Sequence, residues 1–213
     1  MNLIFLGAPG SGKGTQAKEL AKIYDLVHLS TGDIIRNSIR KKTKLGLQVK
    51  KYLDAGLLVP DDHVIDIVKE AITNLKSDFI LDGFPRTIKQ ANALQNILED
   101  LEKKIDFVIY LEADLEHLTK RIVNRLICPQ CNRTYNKIGL NPKVDNLCDD
   151  DNTPLIKRND DSEDKIKLRI QSYLNETLPL VEYYEEEDLL HLVDANQSHK
   201  LVLATIRTII DSV

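Results

Sequence analysis

The sequence predicts an α/β fold with a five-stranded parallel sheet flanked by helices and two inserted segments. Three observations carry this. Short apolar runs rich in β-branched or aromatic residues recur along the chain, helical patterns separate them, and the first run leads through a glycine-rich turn into a helix. The five runs are "LIFLG" (3–7), "VHLS" (27–30), "FILDG" (79–83), "FVIYLE" (107–112) and "LLHLVDA" (189–195). In such a fold ligands bind beyond the carboxyl ends of the strands, so the chemistry is expected just after these runs.

Two intervals exceed what a simple crossover needs. The first, 31–78, carries the basic helical stretch "RNSIRKKTKLGLQVKKYLDAG" and then "LLVPDD", where Pro60 and the acids read as a helix start. The second, 113–188, holds every cysteine of the chain, with helices expected over 114–126 and 161–184. The expected division is a core of 1–29, 60–125 and 164–213 with inserts at 30–59 and 126–163.

With 213 residues, 42% hydrophobic and 29% charged, the chain suits one sizeable core. No apolar run approaches the ~18 residues that span a bilayer. The stretch Leu3 to Leu6 is too short for a secretory signal, so a cytoplasmic protein without membrane partners is expected. A net charge of -4 argues against a general nucleic-acid binder, which needs a basic surface.

The first turn, "GAPGSGKGT", has Gly7, Gly12 and Lys13 at the spacing of a phosphate-binding loop. Backbone N–H groups at the start of the following helix would face phosphate oxygens, and Lys13 would reach the outer phosphates. Position 14, where Ser or Thr normally ligates magnesium, is glycine, and Thr15 comes one residue late. The ion would then be held by phosphates, water and nearby carboxylates, Asp82 first and Asp33 second through water.

After the second run, "LSTGDIIR" offers Ser30, Thr31 and Asp33, which suit a helix cap without any ligand. After the third, Arg86 offers a planar fork for phosphate and Gln90 an amide for a base edge. Arg121 and Arg125 are four apart, so a helix would put both on one face. No histidine is expected to take part, since none of the five, at 28, 63, 117, 191 and 199, lies beside the phosphate loop or the cysteine segment.

Cys128, Cys131 and Cys148 stand at zinc-ribbon spacing with no fourth cysteine. Asp151 occupies the missing place, with Asp149 and Asp150 as competitors, and three thiolates plus one carboxylate would make a closed, structural Zn2+ site.

Together "GAPGSGKGTQA", "LSTGDIIR", "LDGFPRT" and the arginine pair of "KRIVNRL" resemble the adenylate kinase family, in order and over essentially the whole chain. The cysteine segment is similar to the zinc-bearing lid of bacterial members. The resemblance implies the P-loop nucleoside monophosphate kinase fold, transfer of the terminal phosphoryl group of ATP to AMP giving two ADP, a Mg2+ requirement and a monomer. It makes Gly14 a family trait. It implies that Gly10, Ser11, Gly12, Lys13, Gly14 and Thr15 hold ATP, with Thr134 and Tyr135 over its base. It assigns Thr31, Arg36, Leu57, Val59, Gly83, Arg86 and Gln90 to AMP. Arg121 and Arg125 go to ATP and the transferring phosphate, and Arg158 and Arg169 complete the clamp and also face AMP. With Lys13 and Arg86, these four arginines form the implied catalytic set, and the two inserts become lids that exclude water.

Related uridylate and cytidylate kinases tend to carry alanine where Thr31 stands, so AMP is the expected acceptor. A kinase for another nucleoside monophosphate is one alternative. Another is an ATPase whose ribbon binds nucleic acid or protein. Five Lys/Arg against seven Asp/Glu in 126–163 weigh against nucleic acid.

Overall fold

The computed structural model describes residues 1–55, 57–158 and 160–212. In chain order the elements are β1 (Leu3–Gly7), α1 (Lys13–Ile23), β2 (Val27–Ser30), α2 (Thr31–Arg40), α3 (Lys44–Ala55), α4 (Asp61–Thr73), β3 (Phe79–Asp82), α5 (Ile88–Asp100), β4 (Phe107–Glu112) and α6 (Leu115–Val123). The chain continues through β5 (Arg125–Ile127), β6 (Thr134–Asn136), α7 (Glu163–Ser172), a π-helical turn (Tyr173–Thr177), α8 (Pro179–Glu186), β7 (Leu190–Asp194) and α9 (His199–Asp211).

The five expected strands form one parallel sheet in the order β2-β3-β1-β4-β7. Both faces of β1 and β4 are covered, which is why these strands read as unbroken apolar runs. Ile4, Leu6, Val108 and Leu81 pack on one face against Val68, Ile72, Leu94 and Leu180 from the helices. Leu3, Phe5, Ile80 and Ile109 pack on the other against Leu20, Val202 and Ile206. Fully burying a side chain of this size contributes ~2 kcal/mol.

The basic stretch after β2 is two helices rather than one. Lys42 takes a left-handed φ of 53°, and the chain doubles back so that Gly46 lies against Ser38, whose carbonyl oxygen would be 2.2 Å from any Cβ there. Pro60 caps α4 as its position suggests, with Asp61 and Asp62 in the first turn where the helix dipole favours acids.

Two helical expectations fail. The pattern over 114–126 ends at Val123, because Leu126 buries its side chain in the small core of the cysteine segment and Arg125–Ile127 pairs antiparallel with β6. Arg125 therefore sits on a strand and does not share a helix face with Arg121. The pattern over 161–184 is broken by the π-helical turn and by Pro179, which lacks an N–H and starts α8.

Candidate active site

The turn after β1 wraps onto α1 through Gly12, whose φ of 102° is left-handed and favours glycine. The Lys13 ammonium folds over the loop and donates to the carbonyls of Gly7 (2.7 Å) and Ala8 (2.8 Å). Burial pushes Lys13 down to about 7, with Asp82 opposing and Arg86, Arg169 and Arg125 adding to the shift. Ser11 is buried, and among the described residues its hydroxyl has no hydrogen-bond partner.

Opposite this loop the carboxyl ends of β2 and β3 supply a second wall. Ser30 caps α2 by accepting from Asp33 N at 3.4 Å, which leaves Thr31 free to donate to the Gly83 carbonyl at 2.9 Å. Arg86 is held at its backbone by Gln90 Oε1 (2.8 Å) and at Nε by the Gly83 carbonyl (2.9 Å). Gln90 is buried and donates to Asp61 at 2.6 Å, so each end of its amide keeps one further bonding position. Arg36 pairs with Asp33 at 2.5 Å. That pairing turns Asp33 to this second wall, whereas Asp82 lies 3.0 Å from a would-be Cβ on Gly14.

Between these walls lies a cavity of about 470 Å³. It is lined by Gly10, Ser11, Gly12, Lys13, Gly14 and Thr15 on one side and by Thr31, Asp33, Arg36, Leu57, Val59, Asp82, Gly83, Arg86 and Gln90 on the other. Arg121, Arg125, Thr134, Arg158 and Arg169 close it. Every non-metal position singled out in the sequence except Tyr135 thus faces one space. Tyr135 is 1% exposed and packs with Leu126, Cys128 and Cys148, where its hydroxyl accepts from Asp149 N at 2.7 Å. Its side chain therefore does not lie over a base in the cavity, because the alternation of β6 points Thr134 and Asn136 outward and Tyr135 inward.

Two acids unremarked in the sequence organise the arginines. Asp160 receives both arms of Arg158, at 3.0 and 2.9 Å. Asp161 receives Arg125 Nε at 2.7 Å together with its Nη2, and Arg169 Nη1 at 3.0 Å. Burial disfavours ionised Asp160, but Arg158, Arg169 and Arg36 outweigh it and hold its carboxyl well below the usual range. The signal was the pair of acids two and three positions after Arg158; only the fold shows that both turn inward. The expectation about histidines also fails. His28 Nε2 stands 3.4 Å from Asp82 Oδ2. His199, at the start of α9, receives Gln16 Nε2 on its carbonyl at 3.0 Å. Both line the cavity because β2 and the start of α9 lie beside α1.

In the second insert Cys128, Cys131, Cys148 and Asp151 present ligand atoms that all lie within 4.8 Å of one another. Cys131 and Cys148 Sγ are 3.6 Å apart and Cys128 Sγ is 3.4 Å from Asp151 Oδ2. A tetrahedral ion with Zn–S of ~2.3 Å places its ligands ~3.8 Å apart, so the group has the size such an ion needs. The competitors turn elsewhere: Asp149 accepts from Lys143 N at 2.8 Å and Asp150 pairs with Arg133. Asn132 takes a left-handed φ of 57°, which asparagine tolerates well, and its carbonyl receives Lys18 from α1 at 2.7 Å.

Residues 5–189 match the family model described as adenylate kinase. The chain is 42% identical to an adenylate kinase of Pseudothermotoga lettingae, over 100% of this chain and 99% of that one. It is 45% identical to one of Thermosipho africanus, over 97% and 100%. It is 44% identical to one of Clostridium acetobutylicum, over the full length of both. The chain belongs to the adenylate kinase family. It is accordingly a phosphotransferase, and its sheet is that of the nucleoside monophosphate kinase fold. Adenylate kinases transfer the terminal phosphoryl group of ATP to AMP to give two ADP. Among the described residues no helix is long and apolar enough to cross a membrane.

Proposed function

We propose that this chain phosphorylates AMP with ATP, holding the triphosphate on the 10–15 loop and AMP against Thr31, Arg36, Leu57, Val59, Gly83, Arg86 and Gln90. The observation that carries the reading is the convergence of Lys13 with Arg86, Arg121, Arg125, Arg158 and Arg169 on one cavity. Transfer between two polyanions needs little covalent help from the protein. It needs the reacting oxygens aligned and the spread charge of the transferring group met by fixed cations.

Lys13 and the loop N–H groups hold the outer phosphates of ATP, and Arg86 and Arg36 hold the AMP phosphate. Arg121 and Arg125 meet the transferring group, with Arg158 and Arg169 spanning both substrates. As the nucleotides enter, their phosphates replace Asp160 and Asp161 at part of the guanidinium forks, so the arginines are already oriented and lose little freedom on binding. Thr134 flanks the ATP base. Asp82 is the carboxylate placed to hold the hydrated Mg2+ of the ATP complex, with Asp33 reaching it only through water. When bound, that ion neutralises phosphate charge.

The core of 1–29, 60–125 and 164–213 carries the inserts 30–59 and 126–163 as lids that exclude water, which would otherwise compete with AMP. Cys128, Cys131, Cys148 and Asp151 fit a structural Zn2+, which would staple a lid whose own core is as small as Leu126, Tyr135 and two cysteines. The chain acts as a cytoplasmic monomer without nucleic acid. The ribbon's acidic balance supports the last point.

Initial rates with AMP, UMP and CMP at equal concentration test the acceptor. AMP is expected to be used fastest, and a faster rate with either pyrimidine nucleotide overturns the assignment of Thr31 and Gln90.

A further inference from the structure

The π-helical turn between α7 and α8 has a consequence for the acceptor wall. Its wide bond runs from Leu178 N to the Tyr173 carbonyl at 2.8 Å, and Tyr173 is anchored by its hydroxyl, 2.9 Å from that of Tyr110 on β4. A threonine inside an α-helix usually returns its hydroxyl to the carbonyl four residues back, as Thr119, Thr205 and Thr208 do here at 3.1 Å. For Thr177 that carbonyl belongs to Tyr173 and already accepts Leu178 N. Thr177, buried at 8% exposure, instead donates to the carbonyl of Arg86 at 3.0 Å, 91 positions away in sequence.

Arg86 is thereby pinned on both sides of its Cα. Gln90 Oε1 accepts its N–H, Thr177 Oγ1 donates to its C=O, and the Gly83 carbonyl fixes Nε. The same helical arm carries Arg169 on α7, immediately before the turn. One hydroxyl therefore joins the arm that bears one cavity arginine to the backbone of another. Both Thr177 and Arg86 line the cavity.

We propose that Thr177 is a positioning residue for the acceptor phosphate, holding the Arg86 backbone in register with Arg169 through the π-helical turn. The inference rests on the assignment of Arg86 to the AMP phosphate. A purely structural threonine would affect both substrates alike; a positioning residue on the acceptor wall affects AMP.

The test compares Thr177→Val, Thr177→Ser and Arg86→Lys by steady-state kinetics, varying AMP and ATP separately, with thermal unfolding as a folding check. Valine keeps the shape and removes the hydroxyl. It is expected to raise KM for AMP about three- to tenfold, the effect of one hydrogen bond, with KM for ATP changed less than about twofold. Serine is expected to restore the AMP value. Equal rises in both KM values, no rise for AMP, or failure of serine to rescue overturns the role of Thr177. If Arg86→Lys raises KM for AMP while Thr177→Val does not, the Arg86 assignment stands and only Thr177 falls. If Arg86→Lys leaves AMP unaffected, the assignment of Arg86 falls and takes the inference with it.

Discussion

Gly14 and Asp82 face each other so closely that a Cβ at position 14 would lie 3.0 Å from Asp82 Oδ2. The carboxylate at the end of β3 occupies the space that a hydroxyl side chain would need, which gives a physical reason for glycine in the loop. Asp82 is held there from several sides. Burial opposes its ionisation, but His28, Lys13 and Arg86 outweigh burial and lower its carboxyl below the usual range. Gly14→Ser is expected to displace that carboxylate and raise the Mg2+ concentration for half-maximal rate about tenfold, roughly the effect of one lost charge-assisted contact. Rates measured against Mg2+ at fixed ATP check this, and an unchanged midpoint would separate Asp82 from the metal.

With ATP on the loop as proposed, Lys13 is expected to make its binding depend on pH. In the free protein its pKa is pushed to about 7, first by burial, with Asp82 opposing and Arg86 and Arg169 adding. A bound polyphosphate favours the charged amine and raises that value. Above pH 7 the free site therefore holds fewer protons than the bound one, so binding draws in a proton and weakens as pH rises. Folding has the opposite sign: the folded pKa lies below the unfolded one, the unfolded chain binds more protons between them, and stability rises with pH through that window. Calorimetry at pH 8 in buffers of different ionisation heat is expected to show uptake approaching one proton, lost in Lys13→Met.

Asp161 is 4% exposed at its side chain and joins Arg125 to Arg169. Asp161→Asn would leave two largely buried guanidiniums short of a counter-charge. Breaking such a pair costs about 3 kcal/mol. The expected result is a lower unfolding midpoint that ATP plus AMP partly restores, since phosphates supply the missing charge. Denaturant unfolding with and without nucleotides reads this directly; equal losses in both conditions would contradict phosphate exchange at these forks.

The cysteine segment makes a sharper demand. Elemental analysis of the purified protein is expected to give about one zinc per chain. Asp151→Ala should weaken retention in a chelator competition by ten- to a hundredfold, roughly the range for a ligating group. Asp149→Asn and Asp150→Asn should leave it close to the parent value, since those side chains face Lys143 and Arg133. A zinc-free protein with undiminished stability and activity would remove the staple from the account.

Much of this was legible in the sequence because it is local. The strands announce themselves as apolar runs between helical patterns, the loop by glycine and lysine spacing, and three of the four clustered ligands by cysteine spacing. What was illegible depends on contacts between distant segments. Arg125 reads as helical until Leu126 is seen buried against Tyr135 and the cysteines. Tyr135 reads by resemblance as a ring over the ATP base until the alternation of β6 turns it inward. His28 lies 54 positions from Asp82 in sequence, and nothing local brings them together. Asp160 and Asp161 look like solvated acids, and only the approach of Arg125 on β5 and Arg169 on α7 makes them, with Arg158, partners of three arginines.

The site is proposed to pass phosphate to AMP and to withhold it from water. Phosphorus NMR of the purified protein with Mg2+ and ATP, with and without AMP, tests this most directly. ADP forming only when AMP is present, two for each ATP consumed, is the expected result. ADP and free phosphate accumulating without AMP would show water to be the acceptor and contradict it.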